Sequence, residues 1–341
     1  MNLNTNIENI QFVKFQKENK EQIQDCAIFS DNSNFIEINE NPINNDVIVS
    51  QTTNIISNEE INIDNLKYKN QEISLSSFNF EHPPQFSFPK LIFIVPYRNR
   101  EYEKKQFEIQ MQKILALKYP PSYYKIFYIH QLDNRNFNRG AMKNIGFIMV
   151  KNKYPTKYKE ITLVFNDVDT YPVNENTITD YSTTPNIVKH FYGYTHALGG
   201  IVSINALDFE KIQGFPNYFA WGFEDNELNE RVLKNGMHID RSVFYKIGDI
   251  KNIIQFNTEF LKTVNRGEFN RYVKRIDEGL HTIHKLKYSI DEESGMVNVS
   301  SFETNQIYNE KLNETCDTQK TNYPFKLGYS SKKRCSMNLI I

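Results

Sequence analysis

The chain is poor in the features that announce several common protein classes. Only three of its 341 residues are cysteine, Cys26, Cys316 and Cys335. An odd and widely scattered set of thiols argues against a disulfide framework and for a reducing compartment. No apolar run approaches the roughly 20 residues that a bilayer-spanning helix needs; Leu91–Val95 is typical of the longest. The segment from Met1 to Lys20 is rich in Asn, Gln and Glu and lacks the apolar core of a signal peptide. Cytoplasmic residence is the expectation that follows. Charge of one sign is also missing, since 40 Lys and Arg against 41 Asp and Glu leave a net −1. That balance provides no global basic field to attract nucleic acid or an anionic membrane. No Ser-His-Asp, Cys-His or Walker-type arrangement is present, and no G-x-G-x-x-G follows a strand-like run, so acidic side chains are the remaining catalytic candidates.

The chain does carry apolar side chains at 39%, enough for one medium-to-large domain with tails. Residues 1–85 are dominated by Asn, Ile, Glu and Ser without helical or strand periodicity, and read as largely disordered. From residue 86 the character changes. Buried-strand runs are predicted at Leu91–Val95, Tyr124–Ile129 and Ile161–Phe165, separated by helical rhythms over residues 101–117 and from Asn138 to Val150. A strand at Gly199–Ile204 and helices at Ala206–Ile212 and Asp225–Leu233 follow. Strand and helix alternate, which argues for an α/β fold with a mostly parallel central sheet flanked by helices. Residues 253–287 read as helical and charged. A catalytic domain over residues 86–298 and a loosely structured tail over residues 299–341 complete the expected organisation.

Four segments offer chemistry. Asn166-Asp167-Val168-Asp169 directly follows a buried strand, at the end where open α/β sheets bind ligands. If the chain stays extended, both carboxylates project to one side, where they can hold a divalent ion; an acidic turn is the plain alternative. Pro96-Tyr97-Arg98-Asn99-Arg100 occupies the same position after the first strand, its guanidinium groups suited to phosphate or simply to solvent. Phe137-Asn138-Arg139 opens a helix, where backbone N–H groups favour anions but where a packing residue and a surface charge would also be ordinary. The block Gly214–Asp225 places aromatics and glycines in no amphipathic order before Glu224-Asp225, a pair that suits a sugar platform with a carboxylate base; a packed aromatic loop followed by acids that the helix dipole favours is the plain alternative.

In this order, the four segments together with Gly199-Gly200 resemble the β-1,4-galactosyltransferase family, glycosyltransferase family 7. The resemblance implies a GT-A fold and inverting transfer of galactose or N-acetylgalactosamine from UDP-Gal or UDP-GalNAc to a glycan or glycoconjugate hydroxyl. It implies that Pro96, Arg98, Arg100, Phe137 and Arg139 meet the uridine diphosphate, that Asp167 and Val168 line the nucleotide, and that Asp169 ligates a divalent cation, most naturally Mn2+. Gly200 would lie beside the donor sugar and Trp221 between donor and acceptor. Asp225 would be the general base, with Glu224 holding sugar hydroxyls. Relatives of this kind are typically Golgi-lumenal, the alternative to cytoplasmic residence. A chondroitin-type transferase and a catalytically silent UDP-sugar- or glycan-binding relative are the other readings.

The sequence departs from the family pattern twice. The imidazole ligands expected after the Glu-Asp helix are replaced by Lys246-Ile247-Gly248-Asp249, which leaves weak metal binding through Asp169 alone or Lys246 as a substitute charge; His281 and His284 read as an exposed helical pair, with replacement metal ligands the alternative. Ala197 stands where galactosyltransferases of the family tend to carry a bulky aromatic beside the sugar's C2 substituent, which implies room for an N-acetyl group.

Overall fold

The run Leu91–Tyr97 forms β1, buried along its whole length. Its alternate side chains feed two separate apolar layers, as a period of two requires. Ile92 and Ile94 join Phe127, Ile129, Met142 and Ile145 on one face, while Leu91, Phe93 and Val95 join Phe107, Met111 and Leu115 on the other. Each such side chain contributes roughly 1.5–3 kcal/mol when fully buried. An Ile94→Asp change would strand a charge inside the first layer and break it. The computed structural model of the chain describes residues 84–256, 260–320 and 325; the expected Asn-rich segment, residues 1–85, lies almost wholly outside them.

After β1 the chain continues through α1 (Glu101–Lys118), β2 (Tyr124–Gln131), α2 (Arg139–Lys153), β3 (Thr162–Asn166) and the short β4 (Thr170–Pro172). Next come β5 (Ile187–Gly193), β6 (Ile201–Asn205), α3 (Ala206–Lys211), α4 (Glu224–Lys234), β7 (His238–Asp240), β8 (Tyr245–Lys246) and β9 (Ile253–Gln255). The last elements are β10 (Leu261–Asn265), α5 (Arg266–Lys274), β11 (His284–Ile290), β12 (Met296–Glu303) and β13 (Asn313–Asp317). The central sheet runs β11-β12-β2-β1-β3-β6-β5-β7, with β8 also on β5. It is mixed and mostly parallel, with helices packed against it, as expected for this α/β domain.

Two neighbours of β1 set up the site. Both β2 and β3 run parallel to it, with Ile94 opposite Phe127 and Phe165. The chain therefore leaves all three strands at one edge, delivering residues 98–100, the start of α2 and residues 167–169 to a common rim.

Two expectations for the C-terminal third need correction. Residues 253–287 are not one charged helix: they form β9, β10, α5 and the start of β11. Among the described residues of that stretch only nine are α-helical, opened by Asn265, whose side chain accepts from the N–H groups of Gly267 and Glu268, and closed by Arg275 in the left-handed conformation; a short 3-10 turn follows at Leu280–Thr282. Within the expected tail the described residues 299–320 are not simply loose either, and most of the rest lies outside the described residues. β12 pairs in parallel with β2 inside the central sheet and β13 pairs with β10. Their partners lie more than a hundred and about fifty residues away, so no local periodicity announces them. His281 and His284 consequently sit in a 3-10 turn and at the start of β11 rather than on one helix face.

Candidate active site

The start of α2 carries most of the geometry. Asn138 caps the helix, accepting from Ala141 N–H at 2.8 Å. One residue on, Arg139 donates through Nε and Nη2 to Oε1 of Glu224, at 2.8 and 2.6 Å. One turn further, Lys143 places Nζ 3.2 Å from Oδ1 of Asp225 and 4.0 Å from Oδ1 of Asp167. The i, i+4 spacing puts both cations on the same face, and the facing acids are adjacent at the first turn of α4.

Why α2 and the Gly214–Asp225 block stay together follows from the asparagines. Asn144 accepts from Phe215 N–H at 2.9 Å and donates to the Phe215 carbonyl at 2.8 Å and to Asn217 Oδ1 at 2.9 Å. Asn138 donates to the Asn217 carbonyl at 2.9 Å, and Asn217 reaches on to Gly279 and Thr282. All three asparagine side chains are fully buried, so every bond stands in for a water that cannot enter. Gly140 permits the contact: a Cβ there would lie 2.0 Å from the Pro216 carbonyl oxygen.

The aromatic block ends in strained backbone. Ala220 and Phe223 both take positive φ, 71° and 73°, conformations that cost a non-glycine residue of order 1 kcal/mol or more each. Phe223 thereby starts α4 without any side-chain cap. The helix instead opens with Glu224, Asp225 and Glu227, acids that its positive end favours. Trp221 donates its backbone N–H to Thr263 at 2.9 Å and packs with Phe223 and Tyr272 against Val264, Phe269 and Cys316.

Electrostatics divide the two acids of α4. Burial raises Glu224, yet Arg139 and Lys143 outweigh it and hold the carboxyl below its ordinary value. Burial raises Asp225 to about 6; Lys143 and Arg139 pull it down while Glu224 and Asp167 push it up. A base with a value near the working pH is what proton abstraction favours. At the sheet edge Asp169 is likewise lifted to about 6, by burial and then by Asp167, against the Thr170 hydroxyl, Arg139 and Arg100.

The Asp-x-Asp segment is not extended. Asn166 donates to the carbonyls of Asp167 and Thr170, at 2.9 and 2.7 Å, and curls it into a turn. Val168 points into the core between the two acids. The acids remain close enough to repel, and Asp167 N–H donates to the Gly200 carbonyl at 3.1 Å.

The structure thus brings Arg100, Arg139, Asp167, Asp169, Glu224, Asp225 and the Gly199-Gly200 turn into one electrostatic neighbourhood. Arg98 follows β1 on the same rim and donates to the Arg135 carbonyl at 2.5 Å; Pro96 is within β1 itself. Phe137 packs at the edge of the core, its carbonyl accepting from Ala220 N–H. Lys246 is exposed on β8 opposite Gly193, and the residue hydrogen-bonded to the Asp169 carbonyl is Phe256. His281 faces Gln213 and Asp277, and His284 faces Glu303. Lys143 and Asn144 escaped the sequence reading, and Asn138 was named there only as part of the Phe137-Asn138-Arg139 segment. The i, i+4 step from Arg139 to Lys143 was the available signal, and only the α4 acids across the gap make it meaningful.

Comparison with known proteins is consistent with this site. A family described as the N-terminal region of glycosyl transferase group 7 matches residues 42–182, and one described as the N-terminal domain of galactosyltransferase matches residues 182–256. The chain is 28% identical over 222 residues to a Caenorhabditis elegans xylosylprotein 4-beta-galactosyltransferase, an alignment spanning 61% of this chain and 74% of that protein. It is 29% identical over 160 residues to human beta-1,4-galactosyltransferase 1, spanning 45% of this chain and 39% of the relative. Against Drosophila beta-1,4-galactosyltransferase 7 the alignment covers about half of either chain, 49% and 52%, at 28% identity. The solved catalytic domain of the Drosophila enzyme, in complex with xylobiose, aligns over 70% of this chain and 99% of that chain at 21% identity, with a TM-score of 0.49. The two family matches run without a gap from residue 42 to residue 256 and take in every segment of the site: the chain belongs to the β-1,4-galactosyltransferase family, glycosyltransferase family 7.

Proposed function

We propose that this UDP-sugar-dependent glycosyltransferase moves galactose, and also N-acetylgalactosamine, onto a saccharide hydroxyl with inversion, using Asp225 as general base. The observation that carries the reading is the pairing at the first turn of α4. Glu224 is locked and held ionised by Arg139, whereas Asp225 is poised near pH 6 with one oxygen against Gly199. The acceptor O–H bond breaks toward Asp225. The acceptor oxygen attacks the anomeric carbon from the face opposite UDP, and the bond to the diphosphate breaks. Arg98, Arg100 and Arg139 are the cations of this chain that would meet the diphosphate, and their fixed positions supply charge stabilisation without reorganisation.

Family membership implies a divalent cation. Asp169 is a hard oxygen donor at the sheet edge, and its elevated carboxyl would be relieved by a positive neighbour. Among the described residues no group of three or more His, Cys, Asp or Glu is arranged to hold a metal ion. The side chains therefore suit an ion held by Asp169 and completed by the donor's phosphates and water, where it would neutralise charge on the leaving diphosphate. Acceptance of the N-acetylated donor rests on Ala197, which is buried beside the Leu198–Gly200 turn and offers only a methyl group.

Transfer of radiolabelled galactose from UDP-Gal to a panel of glycans, by the wild type and by Asp225→Asn, tests the proposal. Turnover in the wild type and its loss by about a thousandfold or more in the variant is expected for removal of a general base. Equal turnover in both would overturn Asp225 as the base. No transfer by the wild type to any acceptor would favour the silent binding relative.

A further inference from the structure

Lys143 belongs to none of the segments that mark the family in this chain, yet it is the most deeply buried cation of the site, 2% exposed. Taking an ammonium out of water costs several kcal/mol unless it is compensated. Its compensation is specific. Nζ donates to Asp225 Oδ1 at 3.2 Å, lies 4.0 Å from Asp167 Oδ1, and sits 4.5 Å from the centre of the Phe215 ring. The other oxygen of Asp225 faces elsewhere: a Cβ on Gly199 would be 2.3 Å from Oδ2. One oxygen of the carboxylate is therefore tethered inside the protein and the other is turned to the glycine turn.

We propose that Lys143 is the positioning residue of the general base, tethering Oδ1 of Asp225 so that Oδ2 takes the acceptor's proton, and supplying the counter-charge that keeps the carboxylate ionised. This rests on the reading of Asp225 as base. In the step itself the acceptor O–H bond breaks and its proton passes to Oδ2. The freed electron pair forms the bond to the anomeric carbon, and the bond from that carbon to UDP breaks with its electrons leaving on the diphosphate. Lys143 neither gains nor loses a proton. The charged groups facing Asp225 are Lys143 and Arg139 from α2, Glu224 from its own helix and Asp167 from the turn after β3. Arg139 is committed to Glu224 by two hydrogen bonds, which leaves Lys143 as the cation dedicated to the base.

The experiment is titration of the full-length protein labelled with 13C at the aspartate carboxyl, with the Asp225 resonance identified by its loss in Asp225→Asn. Lys143→Met, Lys143→Gln and Lys143→Arg are compared with the wild type, alongside calorimetric UDP affinity. Loss of the counter-charge in the Met and Gln variants should raise the Asp225 midpoint by about one pH unit or more, a tenfold fall in the ionised fraction on the acid side. Lys143→Arg should stay within about half a unit, and UDP affinity should change by no more than about threefold, since the tether does not meet the donor. Should Lys143→Met fail to fold, Lys143→Gln, which keeps a donor but no charge, carries the comparison. An unchanged Asp225 midpoint in both neutral variants would overturn the proposal and reduce Lys143 to a structural ion pair. Full transfer activity in Asp225→Asn would instead overturn the base assignment, so the two failures are distinguishable.

Discussion

Gly199 and Asp225 are in contact across the site so closely that a Cβ on the glycine would lie 2.3 Å from Oδ2 of the carboxylate. The backbone beside them is joined as well, since Leu198 N–H donates to the Asp225 carbonyl at 2.9 Å. Gly199→Ala is expected to push the carboxylate off its line. A loss of about a hundredfold in kcat/KM should follow, as misplacement of a reacting group by an ångström produces. The stability cost should be only about 1–2 kcal/mol, because a part-exposed side chain can move aside. Steady-state kinetics and thermal melts check both; an active Gly199→Ala enzyme would remove Oδ2 from the proton transfer.

The acid limb of the pH profile should lie near pH 6. Asp225 and Asp169 both stand at about 6 in the folded chain, above the ordinary aspartate value of about 3.9. With Asp225 as the proposed base and Asp169 as the proposed metal donor, both working in the ionised form, kcat/KM should fall below pH 6, with a slope steeper than one proton if both are required. Stability runs the other way. A carboxyl raised by folding contributes its full share below the unfolded value, and that share is lost as pH rises through 6. Activity that stays flat from pH 7 to pH 4.5 would contradict the assignment.

Asn144 is the joint between α2 and the aromatic block. Asn144→Ala removes three buried hydrogen bonds and leaves the Phe215 N–H and carbonyl without partners. Denaturant unfolding should show a loss of about 2–4 kcal/mol. Activity should fall further than stability explains, because Arg139 and Lys143 ride on the same helix. A stability change under about 0.5 kcal/mol would mean that water replaces the asparagine.

Donor choice should follow Ala197. The wild type is expected to use UDP-GalNAc at least as well as UDP-Gal, and Ala197→Tyr should lower the GalNAc-to-Gal ratio of kcat/KM by about tenfold or more, the effect of filling a small pocket. Strict rejection of UDP-GalNAc by the wild type would sink this reading.

Metal dependence should be conditional on nucleotide. With Asp169 as the protein's donor, Mn2+ alone should bind weakly, and UDP should tighten it by at least about tenfold because the phosphates complete the coordination. Calorimetry with and without UDP measures this, and Asp169→Asn should abolish the gain. Equal Mn2+ affinity in both conditions would place the ion elsewhere.

Much of this was legible in the linear chain. The buried runs of β1, β2 and β3 and the helices between them have strong periods, and their order dictates a parallel sheet. Arg98, Arg139, Asp169 and Asp225 could be named because each stands at the end or start of such an element. Residues 253–287 and the strands β12 and β13 could not be read. Their residues are half polar, and what makes them strands is pairing with distant segments rather than any preference of their own.

Sequence by itself determined the order of the elements from β1 to β3, the family and the identity of the acids at the start of α4, because local periodicity and a contiguous motif depend only on neighbours along the chain. Tertiary structure alone decided that Asp167 and Asp169 lie in a turn and that Gly199 makes room for Asp225. It also decided that Lys143, an unremarked residue one turn into a helix, became the ion-pair partner of Asp225. Those are statements about which surfaces meet. They arise when parallel strands bring their ends to one edge and α2 is pinned there by buried asparagines, and no window of neighbouring residues contains them.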